Sequence, residues 1–372
     1  MTALKQTTGA FSIDLLSGED DPEVDAFLDR LGEAPNGAMV LGYHYPVYRD
    51  MLLEALQPGI EACSLAARST ANGQLCGILP GFLKQSRGMS CYNSMPFFGP
   101  NVGPLAPVGE DYCEIADALH SAALEYARGR GAVTAAFYSA FNPAGAPLGP
   151  LPFDGNPAAI RIDRLTQYLD LAGLTEPNWP ADIRYDLRKG RGAGVEISGD
   201  LGTDEVGEIF EIYKSNCTQY GIPLKPRCCL EALVAAARSS RRVRAYSAKL
   251  KGTMIGALIM LWGPKTASYY LPCSSTEHRS LQPGTLLIDH ACRDAIEHGI
   301  RYWNWESSPD RGGGVYRFKK KWGAIELGYS VTVVPLAGLE PLESLGADGI
   351  SAAFPFFYVY PYDRLQPATN GS

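Results

Sequence analysis

No apolar run in the 372-residue chain approaches the roughly 18 residues that cross a bilayer. The opening stretch, Met1 to Leu16, lacks a charged segment followed by an apolar one. A cytoplasmic protein without membrane insertion is therefore expected. Cysteines number nine, an odd count, with no Cys-x-x-Cys pair and no His-x-Glu companion, so neither a disulfide framework nor a metal is expected. The thiols read as reduced and buried. There is no Gly-x-Ser-x-Gly elbow, and the five scattered histidines form no Cys-His or Ser-His-Asp signature, which sets covalent catalysis aside. No pattern marks a glycosidase-type pair of carboxylates.

What is present is ordinary for a water-soluble globular chain: 46% hydrophobic residues, 20% charged residues and a mean hydropathy of −0.09. The length suggests two domains at about 150 residues each. The net charge of −7 argues against a generic nucleic-acid binder, but it is unevenly spread. Residues 1–178 hold 10 Lys and Arg against 20 Asp and Glu, residues 179–330 hold 22 against 16, and residues 331–372 hold 1 against 4. A basic middle segment sits inside an acidic protein.

Apolar spacing predicts helices over Asp20–Leu31 and Pro46–Leu56, then strands over Ile60–Arg68, Leu75–Lys84 and Ser90–Ser94, with Asn72-Gly73 as a turn. After a Gly/Pro-rich bend, Phe98 to Pro107, a helix runs from Ile115 to Gly129 and a strand over Ala132–Tyr138. The second half repeats this order. Helices around Val206–Tyr213 and Leu230–Ala237 precede strands Val243–Lys249, Thr253–Leu261 and Ala267–Pro272, a helix from Thr285 and a strand Arg301–Glu306. Turn formers concentrate between Asn142–Pro157 and Pro180, and Ala352–Tyr362 reads as an aromatic, proline-rich arm. A mixed α/β fold is expected, with domains at 1–165 and 166–335 and residues 336–372 packing back on the protein.

Three segments carry a resemblance. Ile183 to Val195 reads IRYDLRKGRGAGV; Pro283 to Gly323 contains a helix, a strand, a glycine loop and Tyr316-x-Phe318-Lys319; Gly77-Ile78-Leu79-Pro80 and Ser94-Met95-Pro96-Phe97 form a strand-and-turn pattern. Together they resemble the FemABX family, and the order αα-βββ-α-β is that of GNAT-type acyltransferases. The likeness covers most of the chain, is strongest from 183 to 330 and is weak before residue 40. It implies two GNAT-like domains in tandem and an amide-forming transferase that moves an amino acid from aminoacyl-tRNA to an amine on a small molecule, a peptide or a cell-wall precursor. No cofactor is implied.

The residues bear on the donor separately. A CoA-binding loop cradles pyrophosphate with backbone N–H groups at a helix N-terminus. The matching stretch here, Arg279 to Thr285, puts Pro283 where an N–H is wanted and keeps one glycine, Gly284, so the cradle is degraded. An ordinary helix start reads equally well from the same residues. An N-acyltransferase using acyl-CoA or an acyl carrier protein therefore stays open as the alternative. A tRNA donor needs clustered cations, and Arg184, Arg188, Lys189 and Arg191 supply one cluster, with Arg238, Arg241, Arg242 and Arg244 as a second. A solvated surface is the plainer reading of both.

For catalysis, Lys319 is placed by the resemblance where a lysine stabilises the tetrahedral intermediate or the product-side phosphate, although Lys319, Lys320 and Lys321 also read as a solvated patch. Phe318 and Tyr316 would line the donor end, with a core role for Phe318 equally open. Glu306 closes a strand and Asp310 follows it, so either carboxylate could reach a cleft as base. Tyr269 and Tyr270 are adjacent on a strand, where successive side chains point oppositely, so at most one faces the site; Tyr270 is the candidate. Trp303, Trp305 and Trp322 read as core.

Overall fold

The computed structural model describes residues 5–34, 39–97, 101–109, 111–143, 153 and 156–365. Parts of the bend Phe98–Pro107, most of the stretch Asn142–Pro157 and the end of the arm from residue 366 lie outside the described residues. Along the chain run β1 (Lys5–Thr8), β2 (Phe11–Leu15), α1 (Asp21–Glu33), α2 (Pro46–Ala55), β3 (Ile60–Ala62), β4 (Leu65–Ser69), β5 (Leu75–Leu79), β6 (Phe82–Ser86), β7 (Met89–Asn93), α3 (Tyr112–Gly129), β8 (Ala132–Tyr138) and β9 (Ile160–Asp170). They continue with α4 (Ala181–Gly192), β10 (Val195–Ser198), α5 (Val206–Tyr220), α6 (Arg227–Ala237), β11 (Val243–Leu250), β12 (Thr253–Trp262), β13 (Thr266–Ser274), α7 (Pro283–Glu297), β14 (Tyr302–Ser308), α8 (Gly314–Lys321), β15 (Ile325–Pro335) and α9 (Glu340–Ala353). The chain is a mixed α/β protein, as its sequence pattern implied.

Two compact units form. One comprises Met1–Val40, Leu56–Arg164 and Gly328–Ser372; the other comprises Leu41–Ala55 and Leu165–Leu327. In the first unit β1, β2, β4 and β5 make one sheet, and β15, β8, β7, β6 and β3 follow one another in a second. Helix α3 covers β4, β5 and β8, burying Ile115, Leu119, Ala122 and Ala123 in a core with Leu65, Leu79, Tyr92 and Phe137. Two stretches expected as single strands are each broken in two. Ile60–Arg68 becomes β3 and β4, and Leu75–Lys84 becomes β5 and β6, each member joining a different sheet. The break in the second falls at Pro80-Gly81, where proline offers no ladder donor and the glycine admits a close approach: a Cβ on Gly81 would sit 2.4 Å from the Tyr92 hydroxyl. After α9 the chain docks by main-chain and side-chain bonds, Phe97 N–H to the Phe356 carbonyl and Asn93 Nδ2 to that of Tyr358.

In the second unit β10, β11, β12 and β13 are antiparallel, β14 runs parallel to β13, and β9 closes against β14. Helix α7 lies on β11 and β12, α5 lies on β12 and β13, and α4 packs on α7. That last contact depends on Gly190, whose Cβ would stand 2.7 Å from Leu286 Cδ1. All five tryptophans, including the expected Trp303, Trp305 and Trp322, enter the core of this unit. The segment Leu41–Ala55 reaches it because α2 buries Tyr48, Met51 and Leu52 toward α6 and because Gly42 lets the backbones touch. A Cβ at Gly42 would lie 2.7 Å from the main chain of Leu261 and Trp262.

Candidate active site

Strands β13 and β14 pair only from Thr266 and Tyr302 to Ser268 and Asn304. Yet β13 continues to Ser274 and β14 to Ser308. Each carries a bulge just past the last shared pair. On β13 the register against β12 steps from Met260–Tyr269 to Ile259–Leu271, which leaves Tyr270 as the extra residue. On β14 the register against β9 steps from Asn304–Tyr168 to Ser307–Thr166, so Trp305 and Glu306 together oppose Gln167. Bulges bend and overtwist a strand, and two of them on neighbouring parallel strands make the strands part. The gap is flanked by Tyr270 on one side and Glu306 on the other.

Glu306 is held in the left-handed region, at φ +64, which costs a non-glycine residue about 1–3 kcal/mol and marks a constrained position. Asn304 fixes it twice: Nδ2 donates to Glu306 Oε1 at 3.0 Å, and the Glu306 N–H donates to Asn304 Oδ1 at 3.0 Å. Asn304 Nδ2 also donates to Ser268 Oγ at 3.2 Å, tying the two strands at their point of divergence. Burial pushes the Glu306 carboxyl up to about 7, against the hydroxyls of Tyr43 and Ser268 and the charges of Lys319 and Lys225, which favour its anion. Oxygen Oε2 is shielded from solvent and, among the described residues, has no hydrogen-bond partner of good geometry. A carboxylate half-ionised near neutrality, with one open acceptor, is suited to receive a proton.

Lys319, on α8, is 4% exposed. Its Nζ donates to the Glu306 carbonyl at 2.8 Å, the Ser307 carbonyl at 2.7 Å and Ser308 Oγ at 3.1 Å, so its three protons clamp the bulge. Burial lowers it to about 8, opposed by the charge of Glu306. It is not part of a solvated patch with Lys320 and Lys321. Lys321 turns instead to α4, donating to Asp186 Oδ2 at 2.9 Å.

Tyr270 does face the gap, and Tyr269 turns the other way onto Trp305, with ring centroids 5.1 Å apart. Tyr270 meets Tyr43 at 5.8 Å and Tyr48 at 5.6 Å, both edge to face, and the Tyr48 hydroxyl donates to that of Tyr270 at 3.3 Å. Tyr43 in turn directs its hydroxyl at Glu306 and is held far from ionisation, first by burial and then by that carboxylate. Lys225 Nζ lies 5.3 Å from the Tyr270 ring centroid. Thus Lys319 bonds Glu306 directly, and Tyr43 connects Glu306 to Tyr270.

Phe318 lies on α8 with its ring 6.1 Å from that of Trp305 and is 40% exposed, next to an exposed Val315. Tyr316 donates from its hydroxyl to Glu326 Oε2 at 3.1 Å, beside Arg311 on the same carboxylate, and its carbonyl accepts from Gln167. Arg184, Arg188 and Lys189 stand on the exposed face of α4; Arg184 donates to the Trp179 carbonyl at 2.6 Å. Arg191 is committed to Asp289 at 2.7 Å, together with Arg293 and the Trp179 indole. Arg279 is exposed in a short turn ahead of α7, which opens on Pro283 after Gln282 at φ +60. Sequence reasoning missed Tyr43, Tyr48, Lys225, Ser268 and Asn304. The tyrosine-rich stretch Tyr43-His44-Tyr45-Pro46-Val47-Tyr48 was the available signal for the first two.

A family model described as an acetyltransferase (GNAT) domain matches residues 180–320. Among solved structures, the chain is similar to FemX (13% identity, TM-score 0.60, 93% of this chain and 99% of that one). It is also similar to the C-terminal domain of a putative lysylphosphatidylglycerol synthetase from Agrobacterium fabrum (14%, 0.54, 92% and 98%). A third is a tandem GNAT protein from the clavulanic acid biosynthesis pathway, solved without AcCoA (18%, 0.50, 88% and 99%). A search of curated proteins finds no match. The chain has the tandem GNAT fold, and the strand divergence described above lies within its family-matched region and the strands beside it.

Proposed function

We propose that the protein is an acyltransferase that forms an amide, moving an aminoacyl group from aminoacyl-tRNA to an amine acceptor. The observation that carries the chemistry is Glu306, strained on its bulge at the strand divergence, with a raised carboxyl and an unfilled oxygen. The amine nitrogen donates to Oε2 and attacks the ester carbonyl; the C–N bond forms, the C–O bond breaks, and the proton passes through Glu306 toward the departing ribose oxygen. Lys319 holds the bulge in place and lends a positive charge to the oxyanion. Tyr270 orients the acceptor, Phe318 stacks at the donor end beside Tyr316, and Arg184, Arg188, Lys189 and Arg279 meet phosphates.

The donor assignment is supported by the resemblance to the FemABX family, by the fold shared with FemX, and by Pro283 opening α7 without an N–H to offer. The lysylphosphatidylglycerol synthetase among the similar folds is named for an aminoacylated product. Transfer from acyl-CoA or a carrier protein is the second reading, favoured by the acetyltransferase family match.

Retention of a pooled, radiolabelled aminoacyl-tRNA mixture by the purified protein, beside binding of CoA and acetyl-CoA, separates the two. One charged species retained, and lost on deacylation, is expected. CoA binding without tRNA retention replaces the tRNA reading with the acyl-CoA one.

A further inference from the structure

Asn304 is the last residue of β14 to pair with β13, and its side chain is completely buried. Its Oδ1 accepts from the Glu306 N–H at 3.0 Å and from the Thr166 hydroxyl at 3.3 Å, while Nδ2 donates to Glu306 Oε1 at 3.0 Å and to Ser268 Oγ at 3.2 Å. These bonds use the whole capacity of a carboxamide, both acceptor sites and both N–H groups. Its orientation follows, because a main-chain N–H can only donate: the oxygen must face the Glu306 N–H, and the nitrogen must then face Oε1. The partners belong to separate strands, Thr166 to β9, Ser268 to β13 and Glu306 to β14. From α8, Lys319 holds the Glu306 carbonyl at 2.8 Å, so the strained residue is gripped at its N–H and at its C=O. With no bond left for a substrate, Asn304 can act only through Glu306.

We propose that Asn304 is the positioning residue of the site: by occupying the N–H and Oε1 of Glu306 together, it leaves Oε2 as the oxygen that meets the amine. The use of Oε2 by an amine rests on Glu306 being the amine-side base; the hold on Oε1 does not. A group that took the N–H alone would leave the carboxylate free to rotate about its own bonds. An aspartate in this place would accept from the N–H equally well, yet it would set a second acid against Oε1, and like charges so close cannot both ionise. The groups that face Glu306 are Tyr43 and Tyr48 from the segment Leu41–Ala55, Lys225 from the turn before α6, Ser268 from β13 and Lys319 from α8. Tyr43, Ser268 and both lysines favour its anion. Asparagine adds a further donor to that set, where the acid of the same shape would compete for the proton.

The test follows the Glu306 carboxyl itself by NMR across pH, in the full chain with isotopically labelled glutamate carboxyl carbons, and Glu306→Gln locates the signal. Asn304→Asp is expected to raise the titration from about 7 by about one unit or more. Asn304→Ser, too short to reach Oε1, withdraws the donor without adding an acid and is expected to give a smaller rise. Thr166→Val removes a bond to Asn304 and none to Glu306, and is expected to leave the titration near that of the parent. A titration unmoved in both Asn304 variants overturns the proposal, as does one moved equally by Thr166→Val. Should Asn304→Asp not fold, the comparison of Asn304→Ser with Thr166→Val decides. On the same proteins, the acid limb of transfer from the retained aminoacyl-tRNA to ethanolamine separates this inference from the reading it rests on. A limb that moves with the NMR titration upholds Oε2 as the working oxygen of the base. A titration that moves while the limb stays leaves the hold on Oε1 standing, but removes Glu306 as the base and with it the role given to Oε2.

Discussion

Lys319 Nζ donates to the carbonyl of Glu306 at 2.8 Å, so the cation of α8 grips the main chain of the carboxylate rather than the carboxylate itself. A second bond to Ser307 and a third to Ser308 make the grip threefold. Removing it with Lys319→Met leaves two buried carbonyls without their donor, at about 1–3 kcal/mol each, and frees the bulge. The transfer rate is expected to fall by roughly 10²-fold or more while the protein remains folded. Lys319→Arg should keep more stability than Lys319→Met, and the two readouts, melting temperature and transfer rate, separate clamp from charge. An unchanged rate in Lys319→Met would remove the residue from the chemistry.

The same pair sets a pH profile. Glu306 must be ionised to accept a proton, and burial raises it to about 7, so activity rises with pH through that value. Lys319 must be charged, and burial lowers it to about 8, so activity falls as pH climbs past that value. The two groups interact, and the limbs of the profile belong to the pair. A bell with an optimum between about 7 and 8 is expected in kcat/KM, and Glu306→Gln should abolish the acid limb along with most of the rate. The stability linkage runs the other way from a paired carboxylate. Because the folded carboxyl is raised, the native state holds its proton more tightly than the unfolded chain, and stability from this group is lost as pH rises from the ordinary carboxylate range to about 7.

Much of this arrangement was legible in the sequence, and the part that was not has physical reasons. Periodicity found α3, α7 and the strands β11 to β13, because each has one face set against a core. Lys319 was singled out by the resemblance and Glu306 and Tyr270 by strand geometry; Lys319 bonds the Glu306 carbonyl, and Tyr43 stands between Glu306 and Tyr270. Periodicity is silent on where an amphipathic helix docks, so nothing in Pro46–Ala55 announced that it would join the second unit and bring Tyr43 and Tyr48 to Tyr270. Bulges are invisible for a related reason. The extra residues at Tyr270 and at Trp305-Glu306 are ordinary strand letters, and only the partner strands' register reveals them. Lys225 was missed because its neighbour, the ring of Tyr270, lies forty-five positions away in sequence.

Strain at Glu306 makes a distinct prediction. At φ +64 a glycine is at ease and a glutamate is not. Glu306→Gly should therefore hold or raise the melting temperature, despite losing the bond from Asn304, while transfer is lost. Glu306→Gln keeps the strain and removes the charge, so at pH 8 it too should melt no lower than the parent. A marked fall in stability for the glycine variant would mean that the backbone there is not strained.

The exposed cations of α4 invite a test that needs no acceptor. Arg188 and Lys189 are solvent-facing, whereas Arg191 is bound to Asp289. If the first two grip tRNA phosphates, the pair Arg188→Ala and Lys189→Ala should weaken retention at low salt and make the slope of log affinity against log salt shallower by about 1–2. Arg191→Ala should instead lower the melting temperature, because it strips a partner from a buried carboxylate. An unaltered salt slope in the double variant would return both residues to the solvated surface.

Gly42 links the docking of one segment to the ionisation of a residue on another. Its missing Cβ is what allows the chain to lie against Leu261 and Trp262, and any side chain there must push two backbones apart. Gly42→Val is expected to cost about 1–3 kcal/mol by overpacking and to shift Tyr43, its direct neighbour in sequence. The Tyr43 hydroxyl favours the anion of Glu306, so its withdrawal should move the acid limb of the rate profile to higher pH. Tyr43→Phe should produce the same shift without the steric cost. If Gly42→Val lowers stability but leaves the limb where it was, while Tyr43→Phe moves it, the segment yields at Gly42 without displacing Tyr43. If neither moves it, burial alone sets the Glu306 carboxyl and the tyrosine is packing.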